Sequence, residues 1–278
     1  MSKEQKEMSF LNHLEILRWT LVRSFGAVFF FGIIAFIGKD FIFNDIILAP
    51  KESSFVTYRF LCYVSNLFGT EGLCIDEIPF IVQSRTMAGQ FSAHIWTSFT
   101  FGFIMAFPYI IWEVWRFLKP ALYETEKESA KSFILVTSFL FFVGILFGYY
   151  VITPLSINFL GNYTVADQIK NNFDLSSYTS LIKASCISAG FIFELPIIIY
   201  FLTKLGLVTP QFLKKYRKYA LVLVLILAAL ITPPDIISQV IVAIPMIILY
   251  ELSIEISTII IKKKEKEIAK EKLEALVK

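Results

Sequence analysis

The residue most able to do chemistry is Glu194, in Phe193-Glu194-Leu195-Pro196, within an apolar stretch from about Tyr178 to Leu202. A carboxylate inside a membrane span is costly unless it is neutral, hydrated or paired. Two readings stand: a protonated Glu194 hydrogen-bonded to a neighbouring helix, or a site for a polar ligand or a proton. Lys183, earlier in the same stretch, lies about 16 Å away along a helix. That is too far for a direct pair, and its ammonium is expected to snorkel outward. A second acidic group lies in segment 113–131, where Glu124, Glu126 and Glu128 alternate with Thr125 and Lys127 beside Trp115, Phe117 and Tyr123. It reads either as a solvated charged face or as an acidic docking point for a basic ligand. Trp112 and Trp115 suit a membrane interface. Glu15 falls on the same side of the membrane by the charge argument below, so the two acidic regions could cooperate.

Other chemistries find no support. The two histidines, His13 and His94, are far apart, which disfavours haem ligation. No HExxH, GxSxG or phosphate-binding glycine loop occurs, and no metal-type Cys/His spacing. The expected cofactor set is therefore none, and the chain is not expected to be an enzyme. Cys62 and Cys74 share one long loop, where an oxidising compartment would permit a disulfide; spacing alone leaves the pairing open. Cys186 reads as a small packing residue. What remains is a transporter, a channel, or a binding and assembly platform.

The elements that must position these residues are membrane helices. The chain of 278 residues is 56% hydrophobic and 18% charged, against about 45–50% and about 25% in soluble domains. This excludes a disordered chain and a basic nucleic-acid-binding domain. A crossing helix needs about 20 mostly apolar residues. The sequence offers six, at about 20–38, 91–112, 132–153, 178–202, 219–231 and 236–250. The predicted fold class is all-α: one six-helix integral membrane domain over 1–262, then a charged tail at 263–278. Of 26 Lys and Arg, 19 lie in the segments 1–19, 113–131, 203–218 and 262–278, and 5 lie in the opposite connections. The positive-inside rule then puts both termini in the cytoplasm. No small-residue cleavage site follows the first apolar run, so the first helix is expected to be retained. Pro108, Pro154, Pro196 and Pro245 each remove a helix hydrogen bond, which predicts bent helices forming a concave face around Glu194. The last two spans are short for a ~30 Å hydrocarbon core: either the turn Pro233-Pro234-Asp235 sits below the outer surface or the bilayer thins around it, or flanking residues extend both helices.

Four separated motifs, in order, give the chain a family resemblance over almost its whole length. They are His13-Leu14-Glu15-Ile16-Leu17-Arg18; Phe107-Pro108 followed by Trp115, Phe117, Pro120, Leu122, Tyr123 and Glu126; Phe193-Glu194-Leu195-Pro196; and Thr232-Pro233-Pro234-Asp235 with Ser238-Gln239, Ala243-Ile244-Pro245-Met246 and Tyr250-Glu251. Together they resemble TatC, the polytopic subunit of the twin-arginine protein translocase. The resemblance implies an inner-membrane receptor for signal peptides with consecutive arginines, serving folded cargo and driven by the proton-motive force. It implies single-span partners of TatA and TatB type, contact with membrane lipids, and self-association; no nucleic acid is involved. Carried over residue by residue, it makes Glu126 the leading signal-peptide carboxylate, with Glu15, Tyr123 and Lys127 beside it. Glu194 becomes the intramembrane polar site. Thr232, Gln239 and Asp235 become the contact zone for the partner subunits. One departure matters: the family acid near the N-terminus falls at Ile16, and Glu15 stands one residue earlier, about 100° around a helix. A proton-coupled solute transporter using Glu194 is the rival, disfavoured because the two halves show no similarity.

Overall fold

The structure, a computed structural model, describes residues 10–69, 74, 80–118, 130–166, 168, 169, 171–233 and 235–277. Ten α-helices are described: α1 (Phe10–Ile37), α2 (Val56–Phe68), α3 (Gly89–Leu118), α4 (Ala130–Phe147), α5 (Thr153–Asn162), α6 (Leu175–Phe193), α7 (Leu195–Lys204), α8 (Pro210–Lys215), α9 (Arg217–Ile231) and α10 (Ile236–Val277). Two wide π-type turns, Phe41–Ile47 and Gly148–Ile152, a 3₁₀ turn, Ala49–Lys51, and a two-stranded ribbon, β1 (Ile81–Gln83) with β2 (Asn172–Asp174), complete the regular structure among the described residues. Among the described residues, five stretches are long and apolar enough to cross a membrane: Leu14–Ile37, Gly89–Phe117, Phe133–Asn162, Leu175–Lys204 and Ser238–Lys266. Helix α9 has 15 residues, about 22 Å at 1.5 Å per residue, so the expected short span here is a short helix. The last span is not short. Glu251 ended the apolar run at 250, but helix α10 continues through a Lys/Glu tail of high helix propensity to Val277.

The chain forms two compact units. The first comprises residues 1–47, 84–139 and 174–179. Its frame is α1 packed antiparallel on α3, fastened at three levels. Near one end the His94 ring stacks on Phe36 at 3.9 Å, and its Nε2 lies 3.0 Å from the Phe36 carbonyl. In the middle, Gly102 sits so close to α1 that a Cβ would lie 2.5 Å from the Val28 carbonyl oxygen and 2.6 Å from the Gly32 nitrogen. Small residues let backbones approach where lipid supplies no hydrophobic drive between helices. At the other end Arg23 meets Glu113, as described below. Trp115, expected at the membrane interface, is instead buried against Phe133, with ring centroids 4.7 Å apart. Trp112 is exposed, as an interface residue would be.

The second unit comprises residues 48–83, 140–173 and 180–278. Its core gathers Ile152, Ala189, Val224, Ala228, Val242, Ala243 and Met246. Gly144 and Gly148 form a small-residue stripe on α4 and the turn after it. Added Cβ atoms there would lie 2.6 Å from the carbonyls of Ala189 and Ser185 on α6. Pro154 follows the wide turn Gly148–Ile152 and has no N–H to return to the Tyr150 carbonyl. The Thr57 hydroxyl of α2 donates to that carbonyl instead. Tyr58, buried beside it, has its hydroxyl 2.9 Å from the Pro50 carbonyl and 3.1 Å from that of Pro154. Segment 39–90, read from sequence as a connection, therefore includes a helix docked on a proline break. The structure joins Cys62 and Cys74 by a disulfide, with Cα atoms 4.3 Å apart; Cys186 is free and buried.

Candidate functional site

Pro196 sets the local structure around Glu194. Without an N–H, it cannot continue the helix hydrogen-bond ladder through residue 196. Helix α6 stops at Phe193 and α7 begins at Leu195. The Glu194 N–H bonds the Phe191 carbonyl at 3.1 Å, and the Glu194 carbonyl accepts from Ile197 and Ile198, both at 3.0 Å. The side chain is buried, and its Oε1 has no hydrogen-bond partner among the described residues. Lys183 is half-buried on α6.

Glu15 and Ile16 both lie on α1, where Glu15 is exposed and Ile16 is half-buried. The acid thus faces out from a turn where the neighbouring position is partly covered. Glu126, Tyr123 and Lys127 lie outside the described residues. Described helix α3 reaches Leu118, immediately before their segment.

The three residues assigned to partner contact are engaged within the chain at the α9–α10 turn. Thr232 is buried, and its hydroxyl donates to the Ala228 carbonyl at 2.9 Å. Asp235 caps α10: its Oδ2 accepts from the Ser238 N–H at 2.8 Å and from the Ser238 hydroxyl at 2.6 Å. The Gln239 side-chain amide donates to the Leu225 carbonyl at 3.0 Å. Polar side chains thereby hold a tight turn between two apolar helices.

Sequence reasoning missed one constellation. Glu113, taken as the first residue of an inner loop, lies inside α3 with its carboxylate fully buried. Arg23 Nε donates to Glu113 Oε1 and Nη2 donates to Oε2, both at 2.9 Å. The Tyr109 hydroxyl, one turn earlier on α3, donates to Oε1 at 3.1 Å. Arg23 is 35% exposed and Glu113 not at all. The available signal was one unpaired charge at the inner end of each of two adjacent spans.

Long apolar helices, proline breaks and an intramembrane carboxylate define a multi-pass helical membrane protein. The family model described as Sec-independent protein translocase protein (TatC) matches residues 12–245. A protein of that name from Blattabacterium sp. subsp. Periplaneta americana is 42% identical over 266 residues, covering 95% of this chain and all of the relative. One from Desulforapulum autotrophicum is 33% identical, covering 96% of this chain and 90% of the relative. Two crystal structures of the twin arginine translocase receptor TatC are also similar. The one in DDM has a TM-score of 0.68 at 30% identity over 88% of this chain and 99% of that one. The other has a TM-score of 0.64 at 28% identity over 89% and 98%. The chain belongs to the TatC family and is a membrane-embedded component of the Sec-independent protein translocase.

Proposed function

We propose that this chain is the signal-peptide receptor and assembly core of a twin-arginine translocase in the cytoplasmic membrane, with six crossings and both termini in the cytoplasm. It binds the consecutive arginines of signal peptides on folded cargo at its cytoplasmic face. It nucleates single-span TatA- and TatB-type subunits for export driven by the proton-motive force, and carries out no chemical catalysis itself. Glu126 is the leading carboxylate, with Glu15, Tyr123 and Lys127 around it. Thr232, Gln239 and Asp235 mark the partner-facing turn, and Glu194 is the polar site within the membrane.

The observation that carries this reading is the antiparallel packing of α1 on α3. Arg23 pairs with Glu113 while Phe36 pairs with His94. The start of α1, bearing exposed Glu15, is thus at the same end of the pair as Leu118, from which the chain leads to Glu126. A guanidinium is planar, always charged and forked, which suits a carboxylate. One exposed pair is worth only about 0–1 kcal/mol. Two acids at a partly dry interface can therefore discriminate where one cannot.

The test is direct binding to the purified protein in nanodiscs. An Arg-Arg signal peptide is compared with its Lys-Lys twin, on the unaltered protein and on Glu126→Ala. The expected result is an Arg-Arg preference of about tenfold, equivalent to about 1.4 kcal/mol, that Glu126→Ala removes. No preference on a well-folded protein would overturn the receptor reading.

A further inference from the structure

The Arg23–Glu113–Tyr109 cluster has a geometry that a surface ion pair lacks. Both carboxylate oxygens are occupied, one of them twice, and the carboxylate has no exposure to solvent. A buried ion pair is poor evidence for added stability, because desolvation offsets the Coulomb gain. Its best-attested use is to fix register between packed elements. In the seam between α1 and α3, Gly102 sets how near the helices come, and the His94–Phe36 contact fastens the far end. At the end nearer Glu15 the forked, two-bond contact is the polar one: a slip of one residue moves α1 by about 1.5 Å and 100°, which breaks both bonds.

We infer that Arg23, Glu113 and Tyr109 form a positioning clamp that locks the axial register of α1 against α3, and through it the spacing between Glu15 and the Leu118 end of α3. Arg23 lies about 12 Å along α1 from Glu15, and Glu113 lies on the last described turns of α3. Glu15 and Leu118 lie toward the same end of the helix pair, beyond the clamp. The three are positioning residues and do not touch the peptide. The role in peptide discrimination rests on the receptor function proposed above.

The test uses full-length protein in nanodiscs with three conservative variants: Arg23→Lys, which keeps the charge and loses the fork; Glu113→Gln; and Tyr109→Phe. Two readouts are taken on variants that remain monodisperse with unaltered helical circular dichroism. One is the ratio of Arg-Arg to Lys-Lys peptide affinity. The other is the spin-label distance between Leu14→Cys and Val114→Cys, both exposed positions, in a Cys186→Ala background. The clamp predicts that Arg23→Lys and Glu113→Gln each lower the affinity ratio at least threefold and broaden the distance distribution, with Tyr109→Phe intermediate. A merely structural role would lower the unfolding midpoint and leave both readouts unchanged, and that result overturns the inference. If the unaltered protein shows no Arg-Arg preference, the receptor function fails. The distance distributions then decide on the clamp independently: broadening supports it and an unchanged width refutes it.

Discussion

Replacing Gly102 by alanine asks α3 to carry a methyl group where α1 leaves no room. The three nearest atoms to the added Cβ are the Val28 carbonyl oxygen, the Gly32 nitrogen and the Gly32 Cα, at 2.5, 2.6 and 2.7 Å. All three are backbone, so no rotamer change can relieve the contact. Ordinary contact begins at 3.4 Å, so the helices must part by about 0.7–0.9 Å. A gap of that size forfeits a quarter to a half of each dispersion contact along the seam. Over-packing of this kind costs about 1–3 kcal/mol. Against it stands the helix-propensity gain of Gly→Ala, about 1 kcal/mol. Gly26→Ala on α1 is the matched control, because nothing lies within 4 Å of its added Cβ. Both variants share the propensity gain, so their difference isolates the packing penalty. The expected outcome is a Gly102→Ala protein about 1–3 kcal/mol less stable than Gly26→Ala, measured by equilibrium unfolding in mixed detergent micelles. Equal stability of the two variants would refute the close-approach argument for this helix pair.

Two further predictions concern segments between the spans. The backbone N–H groups of Arg85 and Ser176 donate to the Asp174 carboxylate, at 3.1 and 3.0 Å, and hold it below the usual carboxylate range. A depressed folded value means that the contribution is present above the unfolded value of about 4 and is lost as pH falls through the lower folded value. Hydrogen exchange at the Arg85 and Ser176 amides should accelerate over that acidic window, beyond the intrinsic pH trend, and Asp174→Asn should abolish the step; an identical profile in both proteins would count against the pairing. Separately, alkylation of the unreduced, denatured chain should modify Cys186 alone, and reduction should raise the count to all three cysteines, since Cys62 and Cys74 are bridged. Three modified thiols without reductant would exclude the bridge.

How much of this was legible in the sequence depended on the physical signal involved. Membrane helices announce themselves through long apolar runs, because a crossing helix turns its side chains toward lipid, where polar groups are costly. Helix ends were less legible because charge marks where a span leaves the apolar layer, not where a helix stops. Glu113 was assigned to a loop and Glu251 to a helix end, yet α3 and α10 run through both. Helix α2 was hidden because it is short and lies outside the apolar runs. The small-residue seams at Gly102 and at Gly144/Gly148 were not picked out, since a glycine's meaning depends on which backbone comes near. The four motifs carried the family; the roles of Glu15 and Glu126 come with it as proposals, and Glu194 stood out as a carboxylate in an apolar stretch. Pairing Arg23 with Glu113 needed the helices side by side.

The prolines show why one of those residues differs from the others. In a membrane, a carbonyl freed by proline must find another donor, because lipid offers none. At Pro154 the protein supplies one from its own chain: Thr57 donates to the Tyr150 carbonyl, and Tyr58 closes over the break. At Pro196 the arrangement is different. The break between α6 and α7 places a carboxylic side chain at the interruption itself, and one of its oxygens meets no partner among the described residues. An unpaired buried polar atom is costly anywhere, and more so in a span. Threonine would fill the same position with a hydroxyl able to bond back to its own helix, as Thr232 does to Ala228. The glutamate at 194 therefore brings to the break an ionisable acceptor that backbone satisfaction does not require. That excess over structural need is the physical reason to look for the polar group or proton it serves.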